Sequence, residues 1–264
     1  MWCGFKLIIG LESFYDVLTA IEKLGQVIDK PIENQTGSKI SKATPFKLEI
    51  QNLSYNVDKK DFTILNDISF NVNPKDRILI QGESGSGKSS LIHLICGLIK
   101  PTSGNIFVND LSLESIKIND YRANLGLSLS EETPFKGTVR ENVTFGDLSI
   151  TDDEIYSIFN IVGLTDFLKH QPNGLDTHLK PEGKLIGYTI SKKIILARAI
   201  IKKPQLLILE DPLDQLEKQE AKKIIDFITK PSQTWSLIIV SSNDNWKEKC
   251  NKLITLKKGI IVNN

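Results

Sequence analysis

The chain lacks a surplus of charge of either sign. Its 264 residues include 33 Lys and Arg against 32 Asp and Glu, which leaves a formal net charge of +1. No general electrostatic field therefore draws this protein to nucleic acid or to an anionic membrane, and a partner has to be recognised by a local site. We expect no nucleic-acid partner.

Cysteine is also scarce. Cys3, Cys96 and Cys250 lie far apart in the sequence and form no CxxC pair. This spacing argues against a zinc site and against a disulfide framework, and it suits a reducing compartment.

Long hydrophobic runs are missing as well. The most apolar stretch near the amino terminus, MWCGFKLIIGL, is interrupted by Lys6 and is followed by Glu12. It is too short to cross a bilayer, and it has no small-residue cleavage site of a secretory signal. We therefore predict that the chain as given is neither secreted nor transmembrane.

Residues 1–30 have the pattern of an amphipathic helix that ends before Pro31. Two interpretations stay open, because the apolar seam could pack on the chain's own domain or on a helix that the chain lacks. The polar stretch 31–45 is typical of a linker, and the domain proper is predicted over residues 46–264. The seam residues recur at alternating four- and three-residue steps, with one turn left out near Gly25, and they are Leu7, Leu11, Phe14, Leu18, Ile21 and Ile28.

From Phe46 onward, apolar strands alternate with helices. Residues 47–57 and 62–72 alternate apolar and polar side chains, as antiparallel strands do. The later alternation predicts an α/β core with a mainly parallel sheet behind a β-rich opening. Further strands are predicted at 77–81, 104–109, 125–130, 205–210, 235–242 and 252–264, and helices at 88–99, 137–143, 151–162, 190–201 and 216–228.

The segment GESGSGKSS, residues 82–90, matches the phosphate-binding pattern GxxxxGK[ST] between a predicted strand and a predicted helix. Its glycines let backbone N–H groups turn toward phosphate oxygens, and the helix adds the positive end of its dipole. Lys88 would neutralise the terminal phosphates, and the Ser89 hydroxyl would bind Mg²⁺. We predict that a nucleoside triphosphate with magnesium binds to Gly82, Glu83, Ser84, Gly85, Ser86, Gly87, Lys88, Ser89 and Ser90.

With this loop in place, the order of the remaining segments resembles the nucleotide-binding domain of ABC transporters, most closely the exporter type. The resemblance covers residues 46–264 and rests on the segments NDISFNVNPKDRILIQGESGSGKSSLIHLICGLIKPTSGNIFVN, PFKGTVRENVTFG, KKIILARAI and LLILEDPLDQLE. It implies the fold of a P-loop NTPase, with a mainly parallel core, an antiparallel β subdomain and a helical subdomain.

The resemblance also implies ligands and partners. It implies ATP and Mg²⁺, the transmembrane domain of an exporter, and a second nucleotide-binding domain that an intact partner could supply, at the cytoplasmic face of a membrane. Residues 4–29 resemble the cytoplasmic end of an exporter's last transmembrane helix, which suggests a fragment or a split subunit.

The residues that the family uses for chemistry are replaced at several positions. Tyr55 is the candidate for stacking on adenine, because the family's aromatic falls near Val57. Ser130 occupies the place of the glutamine that senses magnesium. IGYTI, residues 186–190, occupies the place of the LSGGQ signature, and bulky Tyr188 stands where glycine is expected and should block close backbone approach.

The acidic pair after the strand LLIL is reversed relative to the family. Glu210 and Asp211 stand where the resemblance implies Asp for magnesium and then Glu for the attacking water. We take both as catalytic candidates, and we assign the metal side to Ser89, Ser130 and Glu210. One side chain is a methylene too long and the other a methylene too short, and an error of about 1 Å can cost on the order of 10²-fold in rate.

Two more elements of the family differ. DQLE, residues 214–217, replaces SALD, and Ser242 falls at the place of the switch histidine. The histidines of the chain are His93, His170 and His178, and all lie elsewhere. Loss of the imidazole and of the base geometry would lower a turnover of about 10 s⁻¹ to about 10⁻³ s⁻¹ or below.

We therefore expect the ATP-binding subunit or fragment of an exporter, with Mg-ATP held by an intact loop and weak hydrolysis. The alternatives are a non-catalytic module or decayed paralogue that holds ATP structurally, and an ABC protein that works without a membrane partner.

Overall fold

The structure of the chain is a computed structural model that describes residues 14–25, 28–29, 33, 36–41, 44–57 and 62–262. The chain divides into two compact units, Met1–Gln35 and Thr36–Asn264. The division falls inside the stretch 31–45. Within that stretch, Ser38 forms a backbone bridge to Ile116, so this part is attached to the second unit.

In the first unit, residues 14–25 are helical. The described seam residues Phe14, Leu18 and Ile21 are exposed, and Phe14 has an exposed fraction of 59%. Leu7 and Leu11 lie outside the described residues. Among the residues that the structure describes, no helix is both long enough and apolar enough to span a membrane.

The second unit opens with a four-stranded antiparallel sheet in the order β2, β1, β4, β5. Its strands are β1 (Leu48–Asn56), β2 (Thr63–Val72), β4 (Ser103–Val108) and β5 (Leu111–Ser112). Apolar side chains of β1 and β2 are buried in one core, but their spacing departs from the strict alternation that the sequence pattern predicts, because the register of the β1–β2 pair shifts after Ile50. They are Leu48, Ile50, Leu53, Leu65, Ile68 and Val72.

The second sheet has six strands, which are β3 (Arg77–Gly82), β6 (Leu125–Ser128), β9 (Leu206–Glu210), β10 (Ser236–Val240), β11 (Lys252–Lys257) and β12 (Ile260–Val262). Their order is β12, β11, β3, β10, β9, β6. All neighbours are parallel except β12, which pairs antiparallel to β11. Every residue of β9 and β10 is buried, as expected for central strands of a parallel sheet that is covered on both faces.

Helices cover the parallel sheet and form a separate helical region with a two-stranded sheet of β7 (Gly137–Thr138) and β8 (His178–Leu179). Two of the helices begin at capping boxes, with Thr138 and Thr151 as the capping residues. The helices are α1 (Lys88–Ile95), α2 (Ile118–Arg122), α3 (Val139–Thr144), α4 (Asp152–Val162), α5 (Thr165–Lys169), α6 (Tyr188–Ile201) and α7 (Lys218–Ile228). The predicted fold class is thereby confirmed.

Several predicted boundaries were wrong. The helix predicted over 88–99 ends at Ile95, because Gly97 at φ 65° takes the left-handed conformation that terminates helices. The strand predicted over 252–264 is a hairpin, since Lys258 and Gly259 both have positive φ and reverse the chain. Helix α6 begins two residues earlier than predicted, which places Tyr188 in its first turn.

A buried carboxylate, that of Asp76, lies just before β3 in the parallel sheet, on the side of β11. Asp76, 8% exposed, accepts hydrogen bonds from Asn73 N at 2.7 Å, Asn251 Nδ2 at 2.9 Å and Lys252 Nζ at 2.6 Å. Burial alone would raise the pKa of Asp76, but the hydrogen bonds from Lys252, Asn251 and Asn73 outweigh it and the pKa is lowered. The ionised group therefore stabilises the junction of β3 with β11.

We predict that Asp76→Ala lowers the free energy of unfolding by about 2–4 kcal/mol, because it leaves a lysine and two amides without their acceptor. In the wild type this contribution is present above the unfolded-state pKa of about 3.9 and is lost as pH falls through the lower folded pKa. Urea unfolding between pH 7 and pH 3 measures both effects. Asp166→Ala, which removes an exposed ion pair with Lys169, is the control, and an equal loss in both variants would contradict the prediction.

Candidate functional site

The loop between β3 and α1 is shaped by glycine. Gly82 has φ 154° and Gly87 has φ 99°. A Cβ on Gly82 would lie 2.3 Å from the backbone oxygen of Leu256, and a Cβ on Gly87 would lie 2.7 Å from Leu65 Cδ2. The tight turn expected of a phosphate-binding loop is therefore possible only with residues that have no side chain at these two positions.

Two polar side chains of the loop point to an anionic ligand. Lys88 Nζ donates to the carbonyl oxygens of Gly82 and Glu83, each at 2.7 Å, and an ammonium has a third N–H for a phosphate oxygen. Ser86 is 3% exposed, and its Oγ has no hydrogen-bond partner among the described residues. Because buried hydroxyls nearly always have a partner, this orphaned atom fits a bound phosphate.

The three residues assigned to the metal side lie together, although they come from distant parts of the sequence. Ser89 Oγ donates to Glu210 Oε1 at 2.6 Å, while Ser130 donates to Glu210 Oε2 through its backbone N at 3.1 Å and its Oγ at 2.9 Å. The elements of the fold explain these positions. Ser89 lies in the first turn of α1, Glu210 is the last residue of β9, and Ser130 follows β6, which pairs with β9.

Glu210 is held in its ionised form. Its burial would raise the pKa, but the hydrogen bonds from Ser89 and Ser130 outweigh burial and the pKa of Glu210 is lowered. Two hydroxyls and one carboxylate are oxygen ligands of the kind that Mg²⁺ prefers when phosphates supply the rest. Among the described residues, no group of three or more His, Cys, Asp or Glu could hold a metal ion.

Asp211 lies in a different environment from its neighbour. It has φ 41°, and its backbone N donates to the carbonyl oxygen of Val240 at 2.9 Å. Partial desolvation raises the pKa of the carboxyl group, a hydrogen bond with Ser241 opposes this, and the negative charges of Glu210 and Asp214 add to the rise. The two acids thus face separate partners.

Two residues near this pair escaped the sequence analysis. Ser241, buried directly after β10, pairs with Asp211, while Ser242, aligned with the switch histidine, is exposed. His93 Nε2 lies 3.4 Å from Glu131 Oε1, and His93 is among the groups that lower the pKa of Glu210. The placement of His93 in α1, on the turn after Ser89, is the signal that could have identified it.

The segment 186–190 forms the beginning of α6. Gly187 is its N-cap, and Tyr188 is its first helical residue, half exposed, with Lys192 Nζ 5.6 Å from the ring centroid. The pKa of Tyr188 is raised by desolvation, by the charges of Asp214 and Asp211, and by a hydrogen bond with Asp214. The phenol ring therefore contacts its own chain where the signature glycines were expected.

Tyr55, the residue predicted to stack on adenine, is not freely exposed. Tyr55, in β1, is partly buried and packs against the core of the antiparallel sheet, whereas Val57 is exposed. Stacking of Tyr55 on a base stays a prediction.

We predict that Gly82→Ala lowers the free energy of unfolding by about 1–3 kcal/mol more than Gly85→Ala does. Gly85 also has positive φ, at 76°, but a Cβ there meets nothing within 4 Å. Both variants carry backbone strain, and only Gly82→Ala forces Leu256 to move. Chemical denaturation of the two proteins measures the difference, and equal stabilities would contradict the tight cradle.

Known proteins resemble this chain in sequence. Residues 65–214 match the model of the ABC transporter family. The uncharacterized ABC transporter ATP-binding protein YfiB of Bacillus subtilis is 28% identical over 241 residues, which are 91% of this chain and 42% of that protein. The ATP-dependent lipid A-core flippase of Pseudoalteromonas atlantica is 25% identical over 252 residues, which are 95% of this chain and 43% of that protein.

The fold is also found in a solved structure, that of a bacterial Atm1-family ABC exporter with ATP bound. The TM-score is 0.84 at 21% identity, and the match covers 93% of this chain and 43% of that one. The chain thus spans less than half the length of the relatives that it matches.

Proposed function

Since this chain belongs to the ABC transporter family, we propose that it is the ATP-binding part of an exporter, with slow hydrolysis of the ATP that it holds. The observation that carries the proposal is the Ser89, Glu210 and Ser130 cluster beside the loop 82–90. ATP binding is the property of the family's domain, and magnesium, the partners and the rate are our proposals.

Binding depends on the loop and on α1. The amino-terminal turn of α1 directs backbone N–H groups at the phosphates, and Lys88 adds a full positive charge. The buried Ser86 hydroxyl gains its missing partner from a phosphate oxygen. These contacts do not require the residues that depart from the family pattern.

Magnesium is held by Ser89, Ser130 and Glu210 in this proposal. When bound, the ion neutralises negative charge on the terminal phosphates. Glu210 is suited to this role because its pKa is lowered and its carboxylate stays charged. Ser130 has a shorter reach than the glutamine of the family, and its backbone N reaches Glu210 as well.

Slow hydrolysis follows from the residues around Asp211. Asp211 is a methylene shorter than the glutamate of the family, and it is paired with Ser241. The residue at the switch position, Ser242, has a hydroxyl and no imidazole. One misplaced base and one missing general acid or base each cost on the order of 10²-fold, so turnover of about 10⁻³ s⁻¹ or below is expected.

The partners proposed are the transmembrane domain of an exporter and a second nucleotide-binding domain, at the cytoplasmic face of a membrane. Support comes from the segment that resembles the stretch facing the membrane domain. There Phe135 and Phe145 stack with their ring centroids 5.8 Å apart, and both are exposed, Phe145 to 57%. Arg198 lies beneath them, with its guanidinium 5.4 Å and 4.7 Å from the two ring centroids. Aromatic groups exposed on a rigid support are typical of docking surfaces.

A second candidate function is a non-catalytic module that holds ATP structurally. Tyr188 favours it, because the amino end of α6 presents a half-exposed phenol ring at the position where the family has glycine. The rate of phosphate release distinguishes the two candidates.

We predict that Lys88→Ala weakens ATP binding by about 10²-fold, because a charge-assisted contact to phosphate is lost. Asp211→Ala should leave affinity almost unchanged and lower turnover by less than about tenfold, since the base is already poorly placed. Fluorescent-nucleotide binding and phosphate release of the wild type and both variants measure this. A wild-type turnover near 1 s⁻¹ or above that falls about a hundredfold in Asp211→Ala would show that the reversed pair is a working catalytic arrangement.

We also predict that this chain alone forms no ATP-dependent homodimer. Both composite sites of such a dimer would meet Tyr188 where the partner's phosphates need close backbone donors. Light scattering with and without ATP measures the association, with Lys88→Ala as the control for nucleotide binding. Tight dimers that need ATP and that disappear in Lys88→Ala would contradict the prediction.

A further inference from the structure

Helix α6 carries two neighbouring buried lysines that point to different places. Lys192 is 8% exposed and Lys193 is 7% exposed. Lys193 Nζ donates to Glu220 at 2.5 Å and to the carbonyl oxygen of Gly163 at 3.3 Å, and so joins α6 to α7 and to the end of α4. The partners of Lys192 belong to the segment 129–132, which follows β6.

Lys192 binds that segment through backbone carbonyl groups. Its Nζ donates to the oxygen of Ser130, to that of Leu129 at 3.4 Å and to that of Glu132 at 3.5 Å. Three acceptors match the three donors of an ammonium group. All three acceptors are backbone carbonyl oxygens, which every type of residue has. The contact therefore fixes the backbone path of the segment 129–132, whatever its side chains are.

The burial of this cation needs compensation. Desolvation lowers the pKa of Lys192, and the negative charges of Glu132, Glu210 and Asp214 oppose that decrease. Two of these acids, Glu210 and Asp214, belong to the strand end and to the loop that follows it at the candidate site. The lysine therefore lies within the field of the nucleotide site without being one of its proposed ligands.

A continuous row of hydrogen bonds leads from Lys192 to the phosphate loop. Lys192 binds the carbonyl oxygen of Ser130, Ser130 donates its N and Oγ to Glu210 Oε2, and Ser89 donates to Glu210 Oε1. Ser130 itself is exposed, in a short irregular segment, and has a side chain of only two heavy atoms. Its position relative to Glu210 must be set by its backbone, and Lys192 holds that backbone.

We propose that Lys192 is the positioning residue that holds Ser130 against Glu210, so that the contribution of magnesium to nucleotide binding depends on Lys192. This inference rests on the proposed function for its magnesium step. Its first step, the attachment of the segment 129–132 to α6, is independent of any ligand. Because α6 begins at Tyr188, the same lysine links the metal side of the site to the end of the helix that would face a second nucleotide-binding domain in the proposed assembly.

The test uses the full chain with Lys192→Met, which keeps the aliphatic stem and removes the three donors. Lys193→Met is the matched control, because it removes an equally buried ammonium from the same helix without touching Ser130. Lys192→Arg keeps charge and donors and should restore the contact. Lys192→Gln, which is shorter and neutral, replaces the Met variant if that protein does not fold.

Two measurements are made on each protein. Hydrogen exchange without nucleotide follows the Leu129 and Ser130 amides, which are bonded to Glu132 and Glu210. Fluorescent-nucleotide affinity is measured with Mg²⁺ and with EDTA, and the ratio of the two dissociation constants gives the magnesium contribution.

In Lys192→Met we expect exchange at Ser130 to be about tenfold faster and the magnesium ratio to fall about tenfold, as for loss of one charge-assisted hydrogen bond. Affinity in EDTA should be unchanged, and Lys193→Met should match the wild type in both measurements. Faster exchange with an unchanged ratio would overturn the positioning role and leave Lys192 as a packing residue. Equal effects of Lys192→Met and Lys193→Met would overturn it too.

Failure of the proposed function has a different signature. A wild-type chain that binds no nucleotide would overturn that function and the magnesium step together. The exchange result would then still confirm or overturn the attachment of Ser130 to α6.

Discussion

The carboxylate of Glu210 joins the two sides of the candidate site. One oxygen accepts from Ser89 on the helix that follows the phosphate loop, and the other accepts from Ser130 on the segment after β6. Without this carboxylate, two hydroxyls and one backbone N–H beside the phosphate loop would lose their acceptor. The geometry of the loop, of the metal side and of Lys192 all depends on where β9 ends.

That constraint also shows why the order of the two acids matters. The residue at the last position of β9 is buried and points toward α1, whereas the next residue leaves the strand with positive φ. Because Asp and Glu are exchanged relative to the family order, the longer side chain occupies the buried position and the shorter one occupies the exposed position. The inner position tolerates the exchange, because serine hydroxyls can adjust to an added methylene. At the outer position, desolvation and the negative charges of Glu210 and Asp214 outweigh Ser241 and Lys88, and the pKa of Asp211 is raised.

Much of this architecture could be predicted from sequence because its signals are local. Periodicity predicted the buried strands, and the glycine pattern predicted the loop from a short window. That Ser89, Ser130 and Glu210 lie together could be predicted only from the order of the family's motifs, since Ser89 and Glu210 are 121 positions apart. The family and the fold were confirmed, while the roles of individual residues stay predictions.

Other features could not be predicted, for a physical reason. A lysine on a helix is usually solvated, so nothing in KKIILARAI indicates that Lys192 is buried against carbonyl groups. The partners of Ser241 and His93 depend on which strand ends and helix turns meet in space. The hairpin at Lys258 and Gly259 was missed because the short turn sequence KKG, residues 257–259, separates two apolar runs that were taken as one strand.

Arg198 supports the exposed pair Phe135 and Phe145 in a way that salt weakens little, although Arg198 is charged. Its guanidinium donates to Asn142 through the backbone oxygen at 2.7 Å and the side-chain oxygen at 3.1 Å, and its flat faces lie near Phe135 and Phe145. These contacts are with neutral groups in a buried place, so dissolved ions screen them little, unlike exposed pairs such as Lys203 and Glu154. The support that Arg198 gives to the two rings should therefore be insensitive to ionic strength, whereas the contact of the exposed Lys202 Nζ, 5.2 Å from the Phe145 ring centroid, is open to screening.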